Sequence, residues 1–226
     1  MNIEYAIIVR GKTRLETLIE RFNTKSQAKF YIERSGGDFS EYEIEHQNFH
    51  ESLFLVQQQL SKIIKNKIVE RSFLPSFLFN DHQVIIVIGQ DGLVANTAKY
   101  VSSYPIIAVN PDVDRYDGFL LPFNPGDFLF AVNQVMAGNF NSKTATFAEA
   151  RLNDGQRILA FNDLYIGASS HVSARYKITY SHKTEEHSSS GIIESTQAGS
   201  TGWLSSIFNM NFGMHKFLEK DNKIGR

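Results

Sequence analysis

"QVIIVIGQDGLVANTAKYVSSYPIIAVN", Gln83 to Asn110, opens with an unbroken apolar, β-branched run from Val84 to Ile88 that stops at Gly89. Such a run does not alternate, so it reads as a strand buried on both faces. "LVANTAKYVSS" then places Val94, Ala98 and Val101 on one helical face, and "YPIIAVN" supplies a second apolar strand. Strand, helix and strand in that order predict parallel pairing through a right-handed crossover. In sheets of this type ligands bind beyond the carboxyl ends of the strands, which is where "GQDG" falls.

The pattern extends to both sides. "EYAIIVRG" is a short strand stopped by Gly11, and Leu15, Leu18, Ile19 and Phe22 follow at helical spacing. Thr24 is placed to cap "KSQAKFYIE", and after "SGGDFS" the stripe Phe49, Leu53, Val56, Leu60 and Ile63 marks a longer helix. "LPFNPGDFLFAVNQVMAG" predicts one more helix, with Asn124 as cap, Pro125 in the first turn and Gly138 past the end. Residues to about 120 therefore read as α/β.

Beyond Asn139 to Lys143 the texture changes. "KTATFAEARLNDGQRILAFNDLYIG" alternates, turns at "NDG" and alternates again, which predicts a hairpin. "SARYKITYSHKTEEHSSSGIIEST" repeats the pattern around a polar tip, and "TGWLSSIFNM" reads as a helix. The expected organisation is an α/β domain over residues 1–140 followed by a β-rich, nominally all-β domain over 141–226.

Composition narrows the function classes. A formal net charge of -1 gives no overall basic field, which argues against a general nucleic-acid binder. The absence of cysteine removes disulfides, thiolate nucleophiles and Cys-ligated zinc or iron–sulfur centres, and fits a reducing compartment such as the cytoplasm. "MNIEYAIIVRGKTRLE" turns polar too early for a signal sequence, and no apolar run reaches the roughly 20 residues of a membrane span. A soluble, cytoplasmic protein is expected.

Candidate chemistry begins at "IGQDG". Gly89 and Gly92 allow backbone amides to approach a phosphate, and the following helix N-terminus favours anions. Asp91 between them reads either as a turn residue capping the helix or as a carboxylate that takes a proton from an attacking hydroxyl. Asp112, Asp114 and Asp117 in "NPDVDRYDGF" lack the Glu of a calcium loop and read as a solvated loop. His46 and His50 lie one helical turn apart in "HQNFHE" without a general-base Glu between them, and read as exposed helical histidines rather than a metalloprotease signature. "GxxxxGK[ST]", "GxGxxG" and "GxSxG" are all absent. Finally, "SGIIESTQAGSTGW", Ser190 to Trp203, runs a strand into hydroxyls and amides. It serves either as a helix-capping turn or as a polar loop facing a nucleotide, with Trp203 offering an aromatic face.

Taken together, "GQDG", "FNDLYIG" and "SGIIESTQAGSTGW" resemble, in order and spacing, the three motifs of the NAD kinase family, and "PIIAVNPDVDRYDGFLLPF" resembles the segment between the first two. The similarity runs from about Val84 to Trp203, and the "NPDVDRYDGF" insertion resembles the mitochondrial-type branch. The resemblance implies an NAD kinase/diacylglycerol kinase-like α/β domain with the substrate in a cleft beside a β-rich domain. It also implies phosphoryl transfer from ATP to the 2′-hydroxyl of the adenosine ribose of NAD, giving NADP. Mg2+ would arrive with ATP, and a homodimer or homotetramer is expected. Asp91 would be catalytic, and Gly89, Gln90 and Gly92 would face phosphates. Phe119, Asn162, Asp163, Thr201, Gly202, Trp203 and Ser206 would line the NAD pocket. Gln90 stands where the family has Gly, Asp163 where it has Glu and Ser190 where it has Asp. Gln197 and Ala198 replace Pro and Thr, and Trp203 replaces Tyr. The closing strands of the family are expected to be short or absent here. A non-catalytic dinucleotide-binding member and a lipid or small-molecule kinase are the alternative readings.

Overall fold

The computed structural model describes residues 3–221, with side chains to residue 218. The chain divides into two compact units, Met1–Ser142 and Lys143–Arg226.

The first unit is built on four strands, β1 (Tyr5–Arg10), β2 (Lys65–Glu70), β3 (Gln83–Ile88) and β4 (Ile106–Val109), in the order β2-β1-β3-β4 and all parallel. The connections are helical: α1 (Arg14–Phe22), α2 (Lys25–Arg34) and α3 (Ser40–Leu60) between β1 and β2, and α4 (Asp91–Ala98) between β3 and β4. α5 (Phe128–Met136) follows β4.

The unbroken hydrophobicity of β3 has a direct cause in its two faces. Val84, Ile86 and Ile88 pack with Phe49, Leu53, Val56 and Leu60 of α3 and with Phe128, Val132 and Val135 of α5. Ile85 and Val87 point the other way, into a cluster with Leu93 and Val94 of α4 and with Val101 and Leu121. Successive side chains alternate faces, so a strand covered on both sides must be apolar at every position.

Capping fixes where the helices start. Thr13 and Glu16 form a reciprocal capping box at α1, and the Thr24 hydroxyl accepts the Gln27 N–H (3.2 Å) at α2. α5 starts later than its sequence suggests. Asn124 closes a separate turn, in which its own N–H donates to Asp127 Oδ1 (2.7 Å) and its Oδ1 accepts the Gly126 N–H (2.7 Å), so regular helix begins only at Phe128. Two further expectations shift: α3 ends at Leu60 and leaves Ile63 exposed, while Val101 is buried just beyond α4.

The second unit contains three two-stranded pairings. β5 (Ala148–Arg151) and β6 (Arg157–Ala160) make the hairpin predicted at "NDG". β8 (Ala174–Tyr180) and β9 (Lys183–Ser189) make another, with Ser181 and His182 both at positive φ in the two-residue turn. β7 (Asp163–Gly167) pairs antiparallel with β10 (Gly191–Ser195), across the intervening hairpin. The label all-β needs a correction, because a 19-residue helix, α6 (Trp203–Asp221), closes the described part of this unit. Residues 222–226 lie outside the described residues.

Candidate nucleotide site

In the first unit the predicted site residues gather where β3 ends. Gln90 is the N-cap of α4 but makes no side-chain capping bond, and Asp91 is the first helical residue. The Asp91 carboxylate does not cap its own helix. It instead accepts the backbone N–H of Phe119 on Oδ2 (3.2 Å) and that of Leu120 on Oδ1 (2.8 Å). The capping reading of Asp91 is thereby corrected, since its oxygens face the loop that follows β4. Gly89 and Gly92 flank it as the sequence requires.

That loop has its own scaffold. Asn110, at the end of β4 and buried, donates through Nδ2 to Tyr116 O (2.9 Å) and accepts the Asp112 N–H on Oδ1 (3.0 Å). Gly118 has φ +62°, and a Cβ there would lie 2.6 Å from Asn110 Nδ2, so glycine is required. The turn presents Phe119 to solvent at 83% exposure while Leu121 is buried in the core. Tyr116, which the sequence did not single out, hydrogen-bonds the Gln90 side chain. Burial raises the Tyr116 phenol above its ordinary value, and the Gln90 bond opposes that shift.

Asp112 is not merely solvated. Its Oδ2 accepts from Asn48 Nδ2 of α3 (2.9 Å), and Ser52 of the same helix donates to Pro111 O (2.7 Å). The aspartates of "NPDVDRYDGF" thus include one that anchors the loop to α3.

In the second unit, Asn162, Asp163, Thr201, Gly202, Trp203 and Ser206 also come together. Asp163 opens β7 opposite Ser195 of β10. Thr196 then turns the chain: its N–H donates to Asn162 O (2.9 Å), its hydroxyl donates to Phe161 O (2.6 Å) and accepts the Gly199 N–H (3.1 Å). Gly199 sits so tightly that a Cβ would lie 2.3 Å from Asn162 O and 2.8 Å from Asp163 Oδ1. A single 3-10 turn, Gly199–Thr201, leads into α6, where Ser206 bonds back to Gly202 O through both its N–H (3.0 Å) and its hydroxyl (3.1 Å). The hydroxyl of Thr196 therefore ties this stretch to the backbone of Phe161 and to the turn that precedes α6. Trp203 remains about half exposed and lies against Tyr165, ring centroids 5.8 Å apart. Asp163 Oδ1 is buried and has no hydrogen-bond partner among the described residues. An unmatched buried carboxylate oxygen is costly and marks a place where a ligand donor would be accommodated.

The sequence identified every motif residue in these two groups and missed Tyr116, Thr196 and Gly199. The tight "AGSTG" spacing was the only signal for Gly199.

A four-stranded parallel sheet with a Gly-flanked aspartate at the carboxyl end of a buried strand defines an α/β protein whose strand-to-helix loop lacks the P-loop signature. Comparison with known proteins specifies the class further. The chain is 29% identical over 151 residues to an NAD kinase of Psychrobacter arcticus, a match covering 64% of this chain and 45% of that protein. It is 26% identical over 122 residues to one of Chlorobaculum tepidum, covering 52% and 42%, and 31% identical over 129 residues to one of Acinetobacter baylyi, covering 53% and 41%. No protein-family model matches the chain. The chain spans less than half the length of the curated relatives it matches, and these matches support membership of the NAD kinase family.

Proposed function

We propose that this chain acts as an NAD kinase, transferring the terminal phosphoryl group of ATP to the 2′-hydroxyl of the adenosine ribose of NAD. Residues 1–140 would carry the phosphate loop and residues 141–226 the dinucleotide-binding motif. The observation that supports the reading best is the setting of Asp91. Each of its oxygens accepts one backbone N–H and keeps a lone pair, so the carboxylate is held in place and still able to accept a hydroxyl proton.

In the proposed step the 2′-oxygen forms a bond to the γ-phosphorus, the bond from that phosphorus to the ADP oxygen breaks, and the hydroxyl proton passes to Asp91. Backbone amides at Gly89, Gln90 and Gly92 would face the phosphates at the start of α4. Mg2+ would be held mainly by the nucleotide's phosphates and water, and among this chain's groups Asp91 could accept a hydrogen bond from that water. Its contribution when bound is to neutralise charge on the transferring group. Phe119, exposed beside Asp91, and Asn162, Asp163, Thr201, Gly202, Trp203 and Ser206 would contact the dinucleotide. Asp163 Oδ1 is the buried side-chain acceptor among them that has no partner among the described residues.

Gln90 favours a second reading. Its side chain, tied to Tyr116, stands in the turn where phosphate would approach, which fits a member that binds dinucleotide without turnover. One experiment separates the two: NADP formation from NAD, ATP and Mg2+ by the purified protein, with thermal melting in NAD alone. Product establishes the kinase, protection without product establishes the binder, and neither result overturns both.

A further inference from the structure

The two histidines one turn apart on α3 have a partner that their own helix does not supply. His50 Nε2 lies 3.2 Å from Glu16 Oε1 of α1, and the His46 and His50 rings are 4.3 Å apart. One ligand atom from each of Glu16, His46 and His50 falls within 4.8 Å of the others, and all three residues are half-buried. We propose that this cluster, on helices α1 and α3 of the first unit, binds one divalent transition ion of the Zn2+ class and ties α1 to α3.

The donor set selects the ion. Two imidazole nitrogens with one carboxylate oxygen suit zinc and its neighbours, whereas Mg2+ and Ca2+ require oxygen shells. A tetrahedral ion with bonds of about 2.0–2.1 Å holds its ligand atoms roughly 3.4 Å apart. The Glu16–His50 pair has that separation already, and a ligand atom of His46 lies within 4.8 Å of both. Partial exposure leaves the fourth position to water.

The surrounding contacts orient the donors as an outer shell does. Thr13 Oγ1 lies 2.9 Å from His46 Nδ1, which leaves Nε2 of that ring for the ion. Glu16 Oε2 accepts from the Thr13 N–H (2.8 Å) and from Arg10, leaving Oε1 for His50 and the ion. The Arg10 charge is shared between Glu16 and Glu70, so the ion does not face an uncompensated guanidinium. The sequence could not disclose the site, because Glu16 and His50 are 34 positions apart and meet only through the packing of α1 on α3.

The test uses the full chain freed of metal with a chelator, titrated with Zn2+ while melting is followed by circular dichroism, and with Co2+ while visible absorption is followed. The expected result is a rise in melting temperature that saturates at one Zn2+ per chain, with Co2+ bands of a four-coordinate nitrogen–oxygen site. His50→Ala and His46→Gln should lose both signals while melting near the wild type without metal, and His171→Ala should keep them. Glu16→Gln, which retains an acceptor for the Thr13 N–H, should weaken binding about tenfold or more. Absence of stoichiometric binding, or binding that survives His46→Gln and His50→Ala together, overturns the proposal.

Discussion

Replacing Asp91 by Asn separates the two tasks assigned to that carboxylate. Asn offers one acceptor oxygen where Asp offers two, so one of the bonds to Phe119 N–H (3.2 Å) and Leu120 N–H (2.8 Å) is lost, and an NH2 faces the orphaned donor. A hydrogen bond to a charged group contributes about 1.5–3 kcal/mol. Phe119 is exposed and its N–H can turn to water, so the smaller end applies, and a destabilisation of about 1–2 kcal/mol is expected. A domain typically holds about 5–15 kcal/mol, so the variant stays folded at room temperature. Proton transfer by a positioned carboxylate contributes roughly 10²- to 10⁴-fold, equivalent to about 2.7–5.4 kcal/mol in the barrier. Turnover should therefore fall far more than folding can account for. Urea denaturation gives the first quantity and NADP formation per folded enzyme the second. A variant that keeps turnover within tenfold of the wild type refutes the proton-acceptor role, and one of unchanged stability refutes the Asp91 link to the loop.

Three other perturbations address different parts of the molecule. Gly199→Ala should destabilise the second unit by about 1–3 kcal/mol, because the new methyl meets Asn162 O, which is already fixed by the Thr196 N–H; loss of NAD-dependent protection should accompany it, and an unchanged melting curve would contradict the packing. Phe119→Ala and Phe128→Ala should behave oppositely. The exposed Phe119 should cost within about 0.5 kcal/mol and weaken NAD binding, while the fully buried Phe128 should cost about 3–5 kcal/mol, both read by denaturant midpoint. Tyr116 should titrate above an ordinary phenol in the folded protein, and Gln90→Gly should raise it further by removing the bond that opposes burial, as ultraviolet difference titration will measure. With the folded value above the unfolded one, its contribution to stability is complete below about pH 10 and is lost as pH rises through the folded value.

What the sequence made legible follows from how completely each element is buried. β3 reads clearly because both faces are covered and Gly89 ends its apolar run. β2, "KNKIVE", escaped because it lies at one edge of the sheet, with Lys65 and Lys67 exposed and only Val69 buried. The capping box at "TRLE", Thr13 to Glu16, was readable by its spacing and went unused. In the second unit the alternation of β7 marks a strand but not its partner: its ladder is with β10, which β8 and β9 separate from it in sequence. Local periodicity encodes which face is buried and is silent on which edge is paired. The links through Asn48 and Asp112, Gln90 and Tyr116, and Glu16 and His50 are of the same non-local kind.

Asp91 shows why a motif and its fold must be considered together. As an isolated Gly-flanked residue before a helix, it has two explanations of equal simplicity, a cap and a catalytic carboxylate. The first fails on geometry, because the first helical residue directs its oxygens away from its own helix and onto two amides of another loop. Those amides belong to Phe119 and Leu120, and the neighbouring Gly118 and Leu121 are fixed respectively by a positive φ against Asn110 and by the core. Moving Asp91 therefore moves the turn that displays Phe119, and the converse holds. If Phe119 contacts the dinucleotide as proposed, occupancy of that aromatic face adjusts the carboxylate through two hydrogen bonds and no intervening side chain. Substitutions in "DGFLL" that leave Asp91 intact should then change kcat as well as KM, whereas a purely structural aspartate would leave kcat untouched by changes at Phe119.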